Sequence, residues 1–358
     1  MTRLQVNVLC KDGVRRGLIE GFSSLRASVR WRGVGSWQMT GSRSALAPLV
    51  REGRGIVLRV DGVTVLSGPM VVAETFSDGT AMVSGVDDTV WLHRRLALTS
   101  GISPFPESLD YGVYDPSETV IYDIVNDNVG PLSGVRQKYV LAEDGGRGST
   151  QVWKVIGQPV GDVVRQIVEV EGWGWRALWQ ASGQTLFSVV VPRDLTDSVR
   201  FSDVNGSLSS WERRVVAPSG SFFYVAGERV DGDRTFVTVS DTDDWGRIER
   251  FIDHRESVDD GEGELTVVGE AGLQQYGPVD SITAVSRPVA QFGLRDWRIG
   301  DLVTVEAGGI RRSANVVGFD VVDDTVAAVL SDGRDDPVLP SLARISDLER
   351  RMARQDVL

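Results

Sequence analysis

Apolar and polar residues alternate along most of the first hundred positions. Leu4, Val6 and Val8 fall on one parity, as do Leu25, Ala27, Val29 and Trp31. This is the two-residue period of strands with one buried face. Ile56, Leu58 and Val60 run into Asp61-Gly62, and the alternation resumes at Val63 and Val65. An Asp-Gly step between alternating runs predicts a tight hairpin. Ser77-Asp78-Gly79 predicts a second turn, between strands over 70–76 and 80–86. Many short strands joined by glycine turns predict a small barrel or sandwich, with a helix following over 88–98.

The period then changes. Asp115-Pro116-Ser117-Glu118 has the form of a helix start, with Asp115 as cap, Pro116 in the first turn and Glu118 closing a capping box. Val120, Ile121, Ile124 and Val125 form its apolar stripe, and Gly130-Pro131 ends it. Val160, Val163, Val164 and Ile167 lie at i, i+3, i+4 and i+7, which predicts a second helix over 160–170. Gly145, Gly146 and Gly148 mark 143–150 as a mobile loop.

From Gly172 onward the pattern is again that of strands, predicted over 185–191, 209–216, 222–226, 235–239, 281–288, 302–305, 314–320 and 326–330. A helix is expected over 262–275. One internal echo stands out. Ile56, Leu58, Gly62 and Val63 recur in spacing as Val303, Val305, Gly309 and Ile310, which raises the prospect of a duplicated barrel. At the end, Ile345, Leu348 and Met352 follow a three-four spacing. They predict a helix over 340–358 that is too short to stand alone and needs a partner surface.

A chain of 358 residues exceeds what one core normally holds, so several domains are expected. Hydrophobic residues make up 41% and charged residues 25%, which excludes wholesale disorder. No apolar run is long enough for a membrane helix, and no standard signal peptide is visible at the start. The net charge of −12 argues against a general nucleic-acid binder. Of the 38 basic residues, only Lys11, Lys138 and Lys154 are lysine. The arginine excess suits bidentate pairing at contacts, or a GC-rich genome.

Candidate chemistry is thin. Cys10 is the single cysteine, so no intramolecular disulfide forms. With His93 and His254 it falls short of a zinc ligand set without carboxylate help. Gly172-Trp173-Gly174-Trp175 lacks the third glycine of a dinucleotide loop. The acidic runs Asp241-Thr242-Asp243-Asp244 and Asp259-Asp260 lack the spacing of a calcium loop. Asp253 precedes His254, but no nucleophile motif accompanies them. No residue qualifies as catalytic, and no cofactor or metal is expected. Trp31, Trp91 and Trp211 fall within apolar patterns, which favours core or interface packing over sugar binding.

Five segments carry a family likeness: Trp31 to Met39; Ser84-Gly85-Val86-Asp87-Asp88 with Trp91 and Leu92; Ser117 to Ile121 with Asn126 to Gly130; Pro192 to Ser202; and Phe292 to Val303. Together and in order they resemble the minor tail proteins that form the tail-tip, or baseplate, hub of long-tailed phages of actinobacteria. These are related to the N-terminal hub regions of tail-associated lysins. The lytic activity of such relatives is not carried over, because no fused hydrolase follows here.

The resemblance implies a mainly β fold with some α, in which two small β-barrel-like domains flank an inserted α/β region. The expected division is 1–98 for the first barrel, 99–205 for the insert, 206–335 for the second β-rich hub domain and 336–358 for the terminal helix. It further implies a structural, non-enzymatic virion protein. Three copies would form a homotrimeric ring that adapts the sixfold tail tube and distal tail protein to threefold tip components. That ring would hold the tape measure protein and pass phage DNA without reading its sequence. Segments 4–8 and 281–288 are candidate ring contacts. Ile345, Leu348 and Met352 are candidate contacts for the trimer or for tip and fibre proteins. The competing expectations are a carbohydrate-binding tail module and a cell-wall hydrolase.

Overall fold

The computed structural model describes residues 4–10, 13–51, 53–98, 109–111, 115–155, 157–230, 233–241, 245–254, 262–287 and 294–332. The chain divides into two compact units, Met1–Ser210 with Ala284–Leu330, and Trp211–Thr283 with Ser331–Leu358. The tail residues Ile345, Leu348 and Met352, and the acidic pairs at 243–244 and 259–260, lie outside the described residues.

The first unit begins with the predicted alternating strands, β1 (Leu4–Leu9), β2 (Arg15–Leu18), β3 (Phe22–Arg30) and β4 (Ser36–Ser42), followed by a single helical turn, α1 (Arg43–Leu46). The hairpin of β5 (Gly55–Val60) and β6 (Val63–Thr75) leads through the Asp78-Gly79 turn to β7 (Thr80–Val86). Asp61 and Gly62 have φ of 50° and 82°, the doubly left-handed turn that matches strand twist. Hydrogen bonding runs β3-β4-β7-β6-β5-β1-β2. The expectation of separate strands around 63–65 and 70–76 is corrected, because β6 is one strand of 13 residues. Its first half pairs with β5, and from Met70 it pairs with β7. Ser67-Gly68-Pro69 is the bend where the strand changes partner. Gly68 is required there, since a Cβ would lie 2.0 Å from the Val86 carbonyl oxygen. The strands curl around Leu25, Met39, Leu58 and Val83, all fully buried. Among the described residues no ladder rejoins β2 to β3, so this half is barrel-like and open.

The predicted helix over 88–98 is a single turn, α2 (Val90–His93). Asp87 and Asp88 are buried before it and turn the backbone through side-chain hydrogen bonds instead. The insert then contains β8 (Leu109–Tyr111) paired with β10 (Trp153–Val155), α3 (Ser117–Asn128), a 3₁₀ turn Pro131–Arg136, β9 (Tyr139–Leu141) and α4 (Val160–Glu171). It closes with β11 (Gly174–Trp179) and β12 (Thr185–Val190), ordered β11-β12-β9. The predicted apolar faces Val120, Ile121, Ile124, Val125 and Val160, Val163, Val164, Ile167 are all buried, and they share one core with Phe187 and Tyr139. Gly172, at φ 72°, stops α4 in the left-handed cap.

The start of α3 departs from expectation. The N-cap is Pro116, with no side-chain cap. Glu118 does not close a capping box. Its buried carboxylate instead accepts Arg147 N at 3.1 Å and Arg147 Nε at 2.7 Å. Ser149 N donates to Glu171 Oε1 at 2.9 Å, and Thr119 Oγ1 to Asp144 Oδ2 at 2.7 Å. The glycine-rich 143–150 loop is therefore pinned at three points, because two helical carboxylates and a threonine satisfy its polar groups.

The remainder of the first unit is β13 (Arg200–Ser202), and the chain enters the second unit within β14 (Leu208–Val216). There β15 (Phe222–Val230), β16 (Asp233–Ser240) and β17 (Glu249–Asp253) form a sheet ordered β16-β15-β17. Helix α5 (Glu262–Tyr276) packs Leu265 on Phe223 and Val225. Phe236 and Phe251 are exposed.

The chain returns through β18 (Val279–Ser286) to β19 (Leu302–Ala307), β20 (Ile310–Val322) and β21 (Thr325–Ser331). The echo seen in sequence has a structural form. Gly55 to Leu302 and Val63 to Ile310 are both steps of 247 residues, and each pair of strands has the same lengths, 6 and 13. Both hairpins turn through two residues of positive φ, Asp61-Gly62 and Gly308-Gly309. Like β6, β20 changes partner midway, from β19 to β3.

Trp31, 7% exposed, lies where these parts meet. A Cβ on Gly174 would fall 2.5 Å from its ring, and one on Gly300 2.4 Å. Gly174→Ala and Gly300→Ala are expected to cost about 1–3 kcal/mol by overpacking, with Gly300 the worse because its φ is +94°. Trp31→Ala is expected to cost about 3–5 kcal/mol. Urea unfolding followed by circular dichroism measures all three. Glu118→Gln is expected to cost about 2 kcal/mol, through the charge-assisted bonds to Arg147, and to speed protease cleavage within 143–150.

Candidate functional site

The polar features of the first unit concentrate where β7 hands over to the insert. Asp87 Oδ2 accepts Gly35 N at 2.7 Å, and its Oδ1 accepts Thr89 N at 3.1 Å and the Thr89 hydroxyl. Gly35, from the aromatic-flanked turn, must be glycine, since a Cβ would lie 2.5 Å from Ser28 O. Asp88 Oδ2 accepts Ser67 Oγ at 2.5 Å and Thr185 Oγ1 at 3.4 Å. Trp179 N donates to that same Ser67 Oγ at 2.8 Å, and Tyr139 OH to Asp88 O at 2.6 Å. The two aspartates thus tie β3–β4, β6 and the insert sheet into one joint.

Burial dominates their electrostatics. It raises Asp87 to about 7, with Asp88 adding repulsion, and it raises Asp88 to about 6 against the hydrogen bonds of Ser67 and Thr185. Burial also lifts the Tyr139 phenol well above its ordinary value. Thr89 Oγ1 has a second acceptor in Gly33 O at 3.4 Å. It can therefore accept a hydrogen bond from neutral Asp87 while donating its own to Gly33 O.

Beside the joint lies a cleft of about 600 Å³, whose lining includes Cys10, Arg54, Asp88, Trp91, Arg94 and Lys138. The Trp91 ring is bracketed by cations, with Lys138 Nζ 4.4 Å and Arg94 Cζ 5.3 Å from its centre. A second hollow of about 450 Å³, with Arg15 and Arg59, shares Gly13, Trp179 and Gly183 with the first. Arg15 Cζ sits 5.9 Å from the Trp179 ring centre. Nothing along the chain marks this cleft, because its lining comes from stretches far apart in sequence.

The other candidates are dispersed. Cys10 Sγ receives the Arg54 guanidinium. His93 packs on Gly161, its Nδ1 3.6 Å from Asp162, and burial holds it below its ordinary value. Asp253 pairs with Arg234, and His254 closes β17 through a backbone bond to Ala226 O at 2.8 Å. Trp31 is core, Trp91 is half-buried in the cleft, and Trp211, at 42%, is exposed. Among the described residues no cluster of His, Cys, Asp and Glu suits a metal ion, and no helix is long and apolar enough to cross a membrane. The fourth and fifth family segments meet at Asp301, which receives Arg193 Nε at 3.1 Å, Arg193 Nη2 at 2.5 Å and Arg298 N at 2.7 Å.

The aspartate pair fixes a pH dependence. The folded chain holds protons that the unfolded chain has released between about pH 4 and pH 7, so this contribution is greatest at low pH and falls as pH rises through that window. Glu118, lowered by Arg147, acts oppositely: its contribution is full above its unfolded value and is lost as pH falls below about 4.5. Urea midpoints from pH 4.5 to 8 are expected to decline, and Asp87→Asn and Asp88→Asn to flatten the decline.

The sequence matches the family of Siphovirus ReqiPepy6 Gp37-like proteins over residues 5–327. No curated protein matches it. Among solved structures, the 43 kDa tail protein of prophage MuSo2 from Shewanella oneidensis superposes with a TM-score of 0.64 at 13% identity, covering 91% of this chain and 97% of that one. A tail protein from Neisseria meningitidis MC58 gives 0.59 at 14% identity, covering 92% and 95%. The prophage tail protein gp18 from Listeria monocytogenes EGD-e gives 0.55 at 10% identity, covering 97% and 99%. The chain belongs to the Siphovirus ReqiPepy6 Gp37-like family, and its mainly β architecture is the fold of phage tail proteins.

Proposed function

We propose that this protein is a structural component of the phage virion, the hub of the tail tip, in which three copies close into a ring. The observation that carries this reading is the duplicated hairpin, β5–β6 and β19–β20, with equal strand lengths, equal turns and the same midway change of partner. One chain then supplies two similar modules, and three chains supply six. A ring of that kind meets a sixfold tube on one side and threefold tip components on the other, and closed cyclic symmetry is the common state of homo-oligomers. In this reading 1–98 and 206–335 are the ring-forming domains, and 99–205 is an insert stiffened by the Glu118–Arg147 and Asp87–Asp88 contacts. Residues 336–358, with Ile345, Leu348 and Met352, attach tip or fibre proteins. The distal tail protein and the tape measure protein are the expected neighbours, and DNA passes without sequence-specific contact. Such a role is mechanical and needs no cofactor.

A second reading, recognition of host glycans, draws support from the second unit, where Phe236 and Phe251 are each 57% exposed with the Arg234 guanidinium about 6 Å from both rings. Light scattering of the purified chain, with and without 340–358, separates the readings. A trimer that survives the truncation is expected for a ring built by the barrel-like halves. A monomer under both conditions, with tryptophan quenching by host-envelope glycans, would replace the hub with the glycan module.

A further inference from the structure

We propose that the cleft beside the β7–insert joint is a docking site for an acidic segment of a partner polypeptide. Three observations carry the proposal, and none depends on how many copies assemble.

The first is charge. The chain carries a net −12, yet the described lining of the larger hollow presents Arg54, Arg94 and Lys138 against the single carboxylate of Asp88. Asp88 is buried and committed to Ser67 and Thr185. The adjoining hollow adds Arg15 and Arg59. Among the described residues none of these five cations is paired with a carboxylate. Asp12 and Glu52, next to lining residues Gly13 and Gly53, lie outside the described residues.

The second is preorganisation. Arg94 and Lys138 rest on Trp91, and Arg15 on Trp179. Aromatic support holds the charged heads in place, so less entropy is lost when a carboxylate arrives.

The third is size and shape. The two hollows, about 600 and 450 Å³, share Gly13, Trp179 and Gly183. They exceed what one small anion fills and suit an extended chain with several carboxylates. Single-stranded nucleic acid is the less favoured polyanion, because it needs open aromatic faces for stacking, and here cations already sit beside both tryptophan rings.

The test uses fluorescence anisotropy of the full chain at pH 7.5, with three fluorescein-labelled probes: a (Glu-Gly)5 peptide, a (Gln-Gly)5 peptide and a ten-nucleotide oligo-dT. The acidic peptide is expected to bind, with affinity falling steeply as salt rises from 50 to 500 mM, and the neutral peptide to give no signal. Arg94→Gln with Lys138→Gln, both exposed, are expected to weaken binding at least tenfold with an unchanged thermal melt. Arg94→Lys should retain most of it. Absence of acidic-peptide binding up to millimolar protein, equal binding by the double variant, or tighter binding of oligo-dT would each overturn the proposal. A drop in oligomeric mass in the double variant would reassign the cleft to a second copy of this chain.

Discussion

The Trp31 indole is the constraint on which the first unit depends. Its ring is held between Gly174 of the insert and Gly300 of the returning chain, both too close for any side chain. Its amide donates to Val317 O of β20 at 2.8 Å. Arg32, beside it at φ 55°, sends Nε to Trp173 O at 2.6 Å. A large flat side chain and two glycines thus register three stretches of sequence more than a hundred residues apart. Packing at this density transmits displacement rather than absorbing it. The positions of the insert and of the returning strands relative to β3 are therefore coupled through one ring.

Much of the fold was legible because it is local. The Asp61-Gly62 hairpin and the apolar stripe of α4 each follow from a few adjacent residues. The misreadings have a common cause in long-range partners. Glu118 looks like half of a capping box until Arg147, 29 positions away, claims its carboxylate. The strands expected around 63–65 and 70–76 are one, because Gly68 lets the chain bend directly against the backbone of Val86 and Asp87. The helix expected from 88 onward is cut to one turn because the backbone after it pairs instead with the start of α4, Ala97 N donating to Gln158 O and Val160 N to Arg95 O, each at 2.8 Å. The candidate cleft was the least legible of all. Its cations come from positions 15, 54, 59, 94 and 138, and nothing in the spacing of an arginine-rich sequence marks these five out from the rest.

Two opposite uses of buried carboxylates coexist. Glu118 is paired with a cation and held ionised, so it anchors a loop by charge-assisted bonds. Asp87 and Asp88 face neutral donors and each other, and burial drives them toward the protonated form. The first device favours a fixed loop at neutral and basic pH. The second favours the joint most where protons are available, so its contribution falls as pH rises toward neutrality.

The duplicated hairpin also explains how the molecule manages its strand edges. An exposed edge is an invitation to pair with another chain. The first half offers the edge of β3, and the second half spends it internally, because Gly318 to Val322 of β20 pair with Arg30 to Arg26. At the far end of the first half, β2 is only four residues long, exposed throughout and headed by Arg15 and Arg16, a short charged edge of the kind that discourages further pairing. With one edge used and the other blunted, backbone ladders are poor candidates for joining copies through this first half. Association through it would then fall to side-chain surfaces, where arginine is the better bidentate partner for carboxylates.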